Sequence, residues 1–216
     1  MVDVIDPASM IGPTDLFGPL HKMGSVARWR NPDPWDAVAT AVIRQVIRAG
    51  HARVLYQSLC RAHGESVMTP AGQRWLLPGP EVVSGLPDAA FEQLGMAFKR
   101  PALRALAEAF TGAGQSWAGL DPAAFVTEVQ TVPRVGPWTA GAAVADLTND
   151  FALYPFADLA VRTWAKRLAP GRTWPDTEPE FALAWAQLAG DQVSALTLLT
   201  LAWGVQHGRA SNTPTL

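Results

Sequence analysis

The run Thr131-Val132-Pro133-Arg134-Val135-Gly136-Pro137-Trp138-Thr139-Ala140 has the residue types needed to grip an anion. A tight turn containing Gly136 leads into a helix with Pro137 at its first position, where a missing N–H costs nothing and the fixed φ suits the helix. The other first-turn N–H groups have no partner inside the helix, and the positive end of its dipole faces the turn. The spacing therefore predicts a seat for a phosphate. Twenty-two residues after Gly136, Asp158 opens Asp158-Leu159-Ala160-Val161-Arg162 and falls at the start of another helix. A carboxylate fixed there can stabilise positive charge developing on a bound substrate, and it can also orient an attacking water. The simpler reading is that Asp158 only caps the helix beginning at Leu159.

The elements that position these residues are helical. Residues 35–49 carry an apolar stripe through Trp35, Val38, Val42, Val46 and Ala49 that Gly50 closes, and 51–62 repeats the pattern, so the two should pack as a helical hairpin. Further helices are expected over 87–98, 101–110, 122–129, 137–149, 159–168, 178–188 and 192–207, about nine in all. Asp121-Pro122 is a cap followed by a first-turn proline, Asp191 can cap the last helix, and Gly208 ends it. No alternating pattern of the kind that builds strands stands out. Residues 1–34, rich in Pro, Gly and Asp, read as an irregular leader, and 69–85 reads as a crossing between lobes or a surface loop. The fold class expected is all-α: a compact two-lobed helical bundle over 35–216, with a helix-turn-helix hairpin at 122–149, a catalytic segment at 154–168 and an active-site cleft between the lobes.

Composition bounds the function. At 216 residues and 49% hydrophobic content the chain can bury a real core. A formal charge of −2 gives no global polyanion-binding signature. Of the 17 basic residues, however, 14 are arginine, and several group locally: Arg44 with Arg48, Lys99-Arg100 with Arg104, Arg134, and Arg162 with Lys166-Arg167. The competing reading of each group is an ordinary solvated helix face. Cys60 is the only cysteine, which excludes disulfides within the chain, zinc knuckles and a four-cysteine iron–sulfur cluster. His21, His51, His63 and His207 are scattered without ligand spacing. The first 13 residues do not read as a secretory signal, and no later stretch reaches membrane-spanning length without charges. The expectation is a cytoplasmic protein, nucleoid-associated if bacterial, monomeric and without a membrane partner.

Residues 132–140, followed by Asp158 and Val161, resemble the helix-hairpin-helix DNA glycosylase superfamily, whose hairpin reads Leu-Pro-Gly-Val/Ile-Gly-x-x-Thr-Ala and precedes an Asp-x-x-Val/Ile segment. Asp33-Pro34-Trp35 through Gln45-Val46-Ile47 is similar to the Asp-Pro-Phe…Ile-x-x-Gln-x-Val/Ile helix of the alkylpurine, 3-methyladenine DNA glycosylase II-like branch. Leu94-Gly95-Met96…Lys99-Arg100…Leu103 resembles its Leu-Gly-x-x-x-x-Arg segment. The likeness spans roughly 33–207, with the pieces in the family's order. It implies base excision repair: eversion of a damaged base from double-stranded DNA and hydrolysis of its glycosidic bond, with Asp158 as the catalytic carboxylate. Alkylated purines are the leading substrate class. Deaminated or oxidised bases stay open, as does a non-catalytic DNA-binding role; a generic helical interaction domain would make the ordered matches coincidence.

The resemblance also assigns roles. Trp138 stands where bifunctional relatives place a Schiff-base lysine, so plain hydrolysis without strand cleavage is implied; Trp138 either flanks the everted base or packs its helix against the core. Ala142 and Leu159 occupy two base-pocket positions that are aromatic in the alkylpurine branch, which implies weaker stacking on a cationic base. Trp29, Tyr154, Trp164 and Trp203 are substitutes from elsewhere in the chain. DNA contacts fall to Arg134, Val135, Gly136, Trp138 and Thr139. Arg134 replaces the glycine usual in the turn, so either the turn tolerates a side chain there or its geometry differs. Gln45 and Val46 fall where the branch carries its gap-filling residues, although Val46 also lies on the apolar stripe of its expected helix and reads equally as core. No cofactor is required for the chemistry. A sodium or potassium ion held by the backbone carbonyls of Gln130, Val132 and Val135 is implied at the hairpin.

Overall fold

The computed structural model describes residues 1–117 and 119–208. Helices dominate, and the chain divides into two units: Asn31–Leu147, and Met1–Arg30 together with the chain from Thr148 onward.

Helix Thr14–Met23 (α1) belongs to the discontinuous unit, and the first helix of the contiguous unit is Pro34–Arg44 (α2). Asp33 accepts the Trp35 N–H at 2.9 Å and Pro34 occupies the first turn, which fixes where α2 starts. Trp35, Val38, Val42 and Ile43 are buried, and the Trp35 indole donates to the Pro78 carbonyl at 2.9 Å. Then come α3 (Ala49–His63), α4 (Pro80–Gly85), α5 (Asp88–Gln93), α6 (Arg100–Trp117), α7 (Pro122–Val129) and α8 (Pro137–Thr148). Edge-to-face pairs Trp35–Phe110, Phe110–Trp117 and Trp117–Phe125, with ring centroids 4.9–6.5 Å apart, tie α2, α6 and α7 together. Residues Thr139–Ala145 of α8 are all buried, as expected of a helix of small residues enclosed by its neighbours.

In the discontinuous unit, α1 packs with α9 (Leu159–Leu168) and α11 (Val193–Gly208), while α10 (Glu178–Ala189) packs on α11. Phe17, Leu16 and Leu20 are fully buried, and Trp174, Phe181 and Trp185 cluster with ring centroids 5.4–5.9 Å apart. Glu178–Gly208 is long and apolar enough by composition to cross a membrane. It is not one rod: Gly190 (φ 52) breaks it, and the Trp185 indole donates to Thr197 Oγ1 at 3.0 Å across the bend. Asp191 lies inside a 3-10 turn at that bend instead of capping α11.

Five expectations are corrected. Residues 1–34 are no irregular leader: strands β1 (Val2–Ile5) and β2 (Val26–Trp29) form an antiparallel ribbon around α1. Pro13 and Gly24 (φ 77) stand at the two ends of α1, so residues that look like breakers mark its limits. Strands do occur, in that ribbon and in a second one, β3 (Ser66–Thr69) with β4 (Gly72–Trp75); each is four residues long, too short for alternation to register. The stretch 69–85 holds β4 and α4. The expected helix 87–98 stops at Gln93, where Gly95 (φ 67) turns the chain, and the expected helix 35–49 ends at Arg44 because Val46 is left-handed (φ 60).

Candidate functional site

The hairpin turn joins α7 to α8. Val132 and Val135 bury their side chains, and Arg134 between them adopts φ 70. That left-handed conformation is the one glycine adopts most readily, and this turn carries an arginine side chain in it. Gly136 has no positive φ, and a Cβ added there would meet nothing within 4 Å. The fold itself does not demand glycine at 136, and its bare backbone stands open at the start of α8.

Gln45 connects this turn to the end of α2. Its Nε2 donates to the Arg134 carbonyl at 3.1 Å and to Thr139 Oγ1 at 2.8 Å, while its own carbonyl accepts from Lys99 Nζ at 2.6 Å. Lys99 is only 3% exposed and sits 5.1 Å from the Phe98 ring centroid. Desolvation pulls its ammonium down to about 8. Directly after Gln45, Val46 is fully exposed, so the reading that placed it in the core fails. Arg48 and Arg134 are exposed as well and pair with no carboxylate among the described residues.

Most of the other grouped basic residues are paired with carboxylates. Arg44 pairs with Asp146 at 3.0 Å, Arg100 and Arg104 both reach Asp88, Arg162 reaches Glu178 and Lys166 reaches Asp176. The Arg44 guanidinium also lies 5.9 Å from the centroid of the half-buried Trp138 ring.

Asp158 occupies the N-cap position of α9, yet its carboxylate accepts no N–H from that helix. The capping reading therefore fails. The Tyr154 hydroxyl donates to Asp158 Oδ2 at 2.7 Å. Two successive turns set this geometry, the Tyr154 N–H donating to the Phe151 carbonyl at 3.1 Å and the Asp158 N–H to the Pro155 carbonyl at 2.8 Å. The Phe151 N–H is in turn anchored on Ser194 Oγ of α11 at 2.8 Å. Leu159 is 70% exposed, whereas Ala142 is buried inside α8.

Sequence reasoning missed two of these groups. It treated Tyr154 only as a substitute pocket aromatic, although a residue four before Asp158 across Pro155 is spaced for a turn to close. It took Lys99 for a surface charge, although the residues three before and four after it, Met96 and Leu103, are apolar and fully buried.

Among the described residues no group of three or more His, Cys, Asp or Glu side chains could hold a metal. At the hairpin the carbonyls of Gln130 and Val135 accept no hydrogen bond among the described residues, and that of Val132 accepts only the Val135 N–H at 3.1 Å. An oxygen-seeking monovalent cation fits that donor set.

No protein-family model matches the chain, and no curated protein matches it. Solved structures do. The Clostridium acetobutylicum 8-oxoguanine glycosylase/lyase, in complex with double-stranded DNA containing cytosine opposite 8-oxoguanine, matches with TM-score 0.68 at 13% identity over 83% of this chain and 61% of that one. The 3-methyladenine DNA glycosylase from Archaeoglobus fulgidus matches with TM-score 0.65 at 17% identity, over 79% of this chain and 58% of that one. The DNA-3-methyladenine glycosidase from Bacillus halodurans matches with TM-score 0.64 at 17% identity, over 95% of this chain and 94% of that one. The chain thus spans less than two thirds of the first two and nearly all of the third. At these identities the likeness establishes the fold: an all-α helical architecture shared with DNA glycosylase structures.

Proposed function

We propose that this protein is a monofunctional DNA glycosylase acting on damaged bases in duplex DNA, with alkylated purines as its leading substrates. The observation that carries the reading is Asp158: a carboxylate at a helix start that does not cap its helix and is held by a buried phenol. Such a charge is available to stabilise an oxocarbenium-like sugar as the glycosidic bond breaks, and to orient the water that completes hydrolysis. The hairpin N–H groups at the start of α8, with Arg134, seat the DNA backbone. Val46, held out from the fold by its left-handed turn, fills the gap left by the everted base. Half-buried Trp138 and exposed Leu159 are the side chains offered to the base, Ala142 being enclosed within α8, and a sodium or potassium ion held by the carbonyls of Gln130, Val132 and Val135 supports the hairpin. The protein works as a cytoplasmic monomer.

Incubation with duplexes that each carry one modified base, scored after alkaline cleavage of abasic sites, tests the substrate class. Asp158→Asn preserves the acceptor for Tyr154 and removes the charge; excision should fall at least about a hundredfold. Excision near wild type would remove Asp158 from the mechanism. With tryptophan at 138 in place of an amine nucleophile, borohydride should trap no protein–DNA crosslink. The fold likeness to an 8-oxoguanine glycosylase/lyase favours oxidised purines as a second reading, so 8-oxoguanine belongs in the panel.

A further inference from the structure

We infer that Tyr154 is a positioning residue that keeps the Asp158 carboxylate from turning onto its own helix, a role that rests on the catalytic reading of Asp158. An aspartate at an N-cap position ordinarily accepts the N–H of the second or third helical residue. Asp33 does so in this chain, and so does Asp121, whose Oδ1 accepts the N–H groups of both Ala123 and Ala124 at 3.0 Å. Asp158 stands at the same kind of position and does not. The difference is a competing donor. The Tyr154 hydroxyl takes Oδ2 at 2.7 Å, a short contact of the charge-assisted kind.

That donor is itself fixed. Tyr154 is 4% exposed, its ring lies 5.3 Å from that of Phe151, and its N–H is bonded into the turn that carries it. The two carboxylate oxygens therefore take separate tasks: Oδ2 is held by the phenol, and Oδ1, which has no donor among the described residues, is left for the sugar or the attacking water. Removing the hydroxyl frees the carboxylate to swing onto the first N–H groups of α9. That movement substitutes one hydrogen bond for another, so it costs the fold little while it draws the charge away from the nucleotide.

The test is Tyr154→Phe, read by kcat and KM for the panel duplex that the wild-type protein processes fastest and by thermal melting. The expected result is a kcat lower by about tenfold with KM changed less than about twofold and no fall in Tm. Replacement of Tyr154 by 3-fluorotyrosine, which keeps the hydroxyl and the shape of the ring, should retain wild-type kcat. In the Asp158→Asn background, Tyr154→Phe should lower the residual excision no further. Unchanged kcat in Tyr154→Phe, equal losses with phenylalanine and fluorotyrosine, an additive loss in the Asp158→Asn background, or a Tyr154→Phe protein that melts early or does not fold would each overturn the positioning role. Wild-type excision by Asp158→Asn alone overturns the catalytic reading beneath it instead.

Discussion

Lys99 carries a charge into the interior with no carboxylate to meet it among the described residues, and one backbone carbonyl, that of Gln45, accepts from it. Because its folded pKa is lowered to about 8 from an ordinary 10.5, the unfolded chain binds more protons between those values. The desolvation cost is then full below pH 8 and fades as pH rises toward 10.5. Thermal melts of wild type and Lys99→Met across this window should show a relative rise in wild-type Tm; parallel curves would mean Lys99 is not buried in its charged form. Val46 stores a different strain. A β-branched residue in the left-handed region is costly, and asparagine adopts it more readily. Val46→Asn should therefore raise stability by about 1 kcal/mol while weakening excision, measured by melting and single-turnover assays. A loss of stability would mean the side chain packs. At this scale the sequence shows where a turn or helix start falls better than what each side chain touches. Asp158 and the hairpin are legible from type and spacing, but Arg134 at positive φ and the Tyr154 hydroxyl depend on backbone turns that no residue type announces.

Among the elements, those with hard stops were readable. The end of α9 matches the expected 159–168 and α7 matches 122–129, because Asp-Pro and turn residues punctuate them. The end of α2 was not readable: nothing among Gln45, Val46, Ile47 and Arg48 signals a break, and the apolar stripe runs on through Val46 and Ala49. The helices α9 and α11 meet at a close approach that leaves no room for a side chain. A Cβ on Gly204 would collide with the Trp164 indole, so Gly204→Ala should cost about 2 kcal/mol by overpacking, despite alanine's better helix propensity. Chemical denaturation measures this, and a neutral result would show that Trp164 can move aside.

Across the molecule, the formal charge of −2 coexists with a fold that consumes most of its grouped arginines in ion pairs and leaves Arg48 and Arg134 exposed near the turn bridged by Gln45. The proposed binding to duplex DNA should weaken as salt rises, and Arg134→Ala should reduce the slope of log K against log salt by about one. Salt-independent association would contradict the proposed phosphate seat. The two-unit division carries a consequence for biosynthesis. Residues 2–5 and 26–29 form a ribbon whose Asp3 and Arg28 are bridged by Asn149: its amide nitrogen donates to Asp3 Oδ2 at 2.7 Å and to the Arg28 carbonyl at 3.0 Å. Asn31–Leu147 can settle as one uninterrupted segment while the ribosome is still at work. Residues 1–30, which emerge before that segment, must wait for Asn149 and the helices after it, and a nascent chain arrested at residue 147 would leave them open to proteolysis.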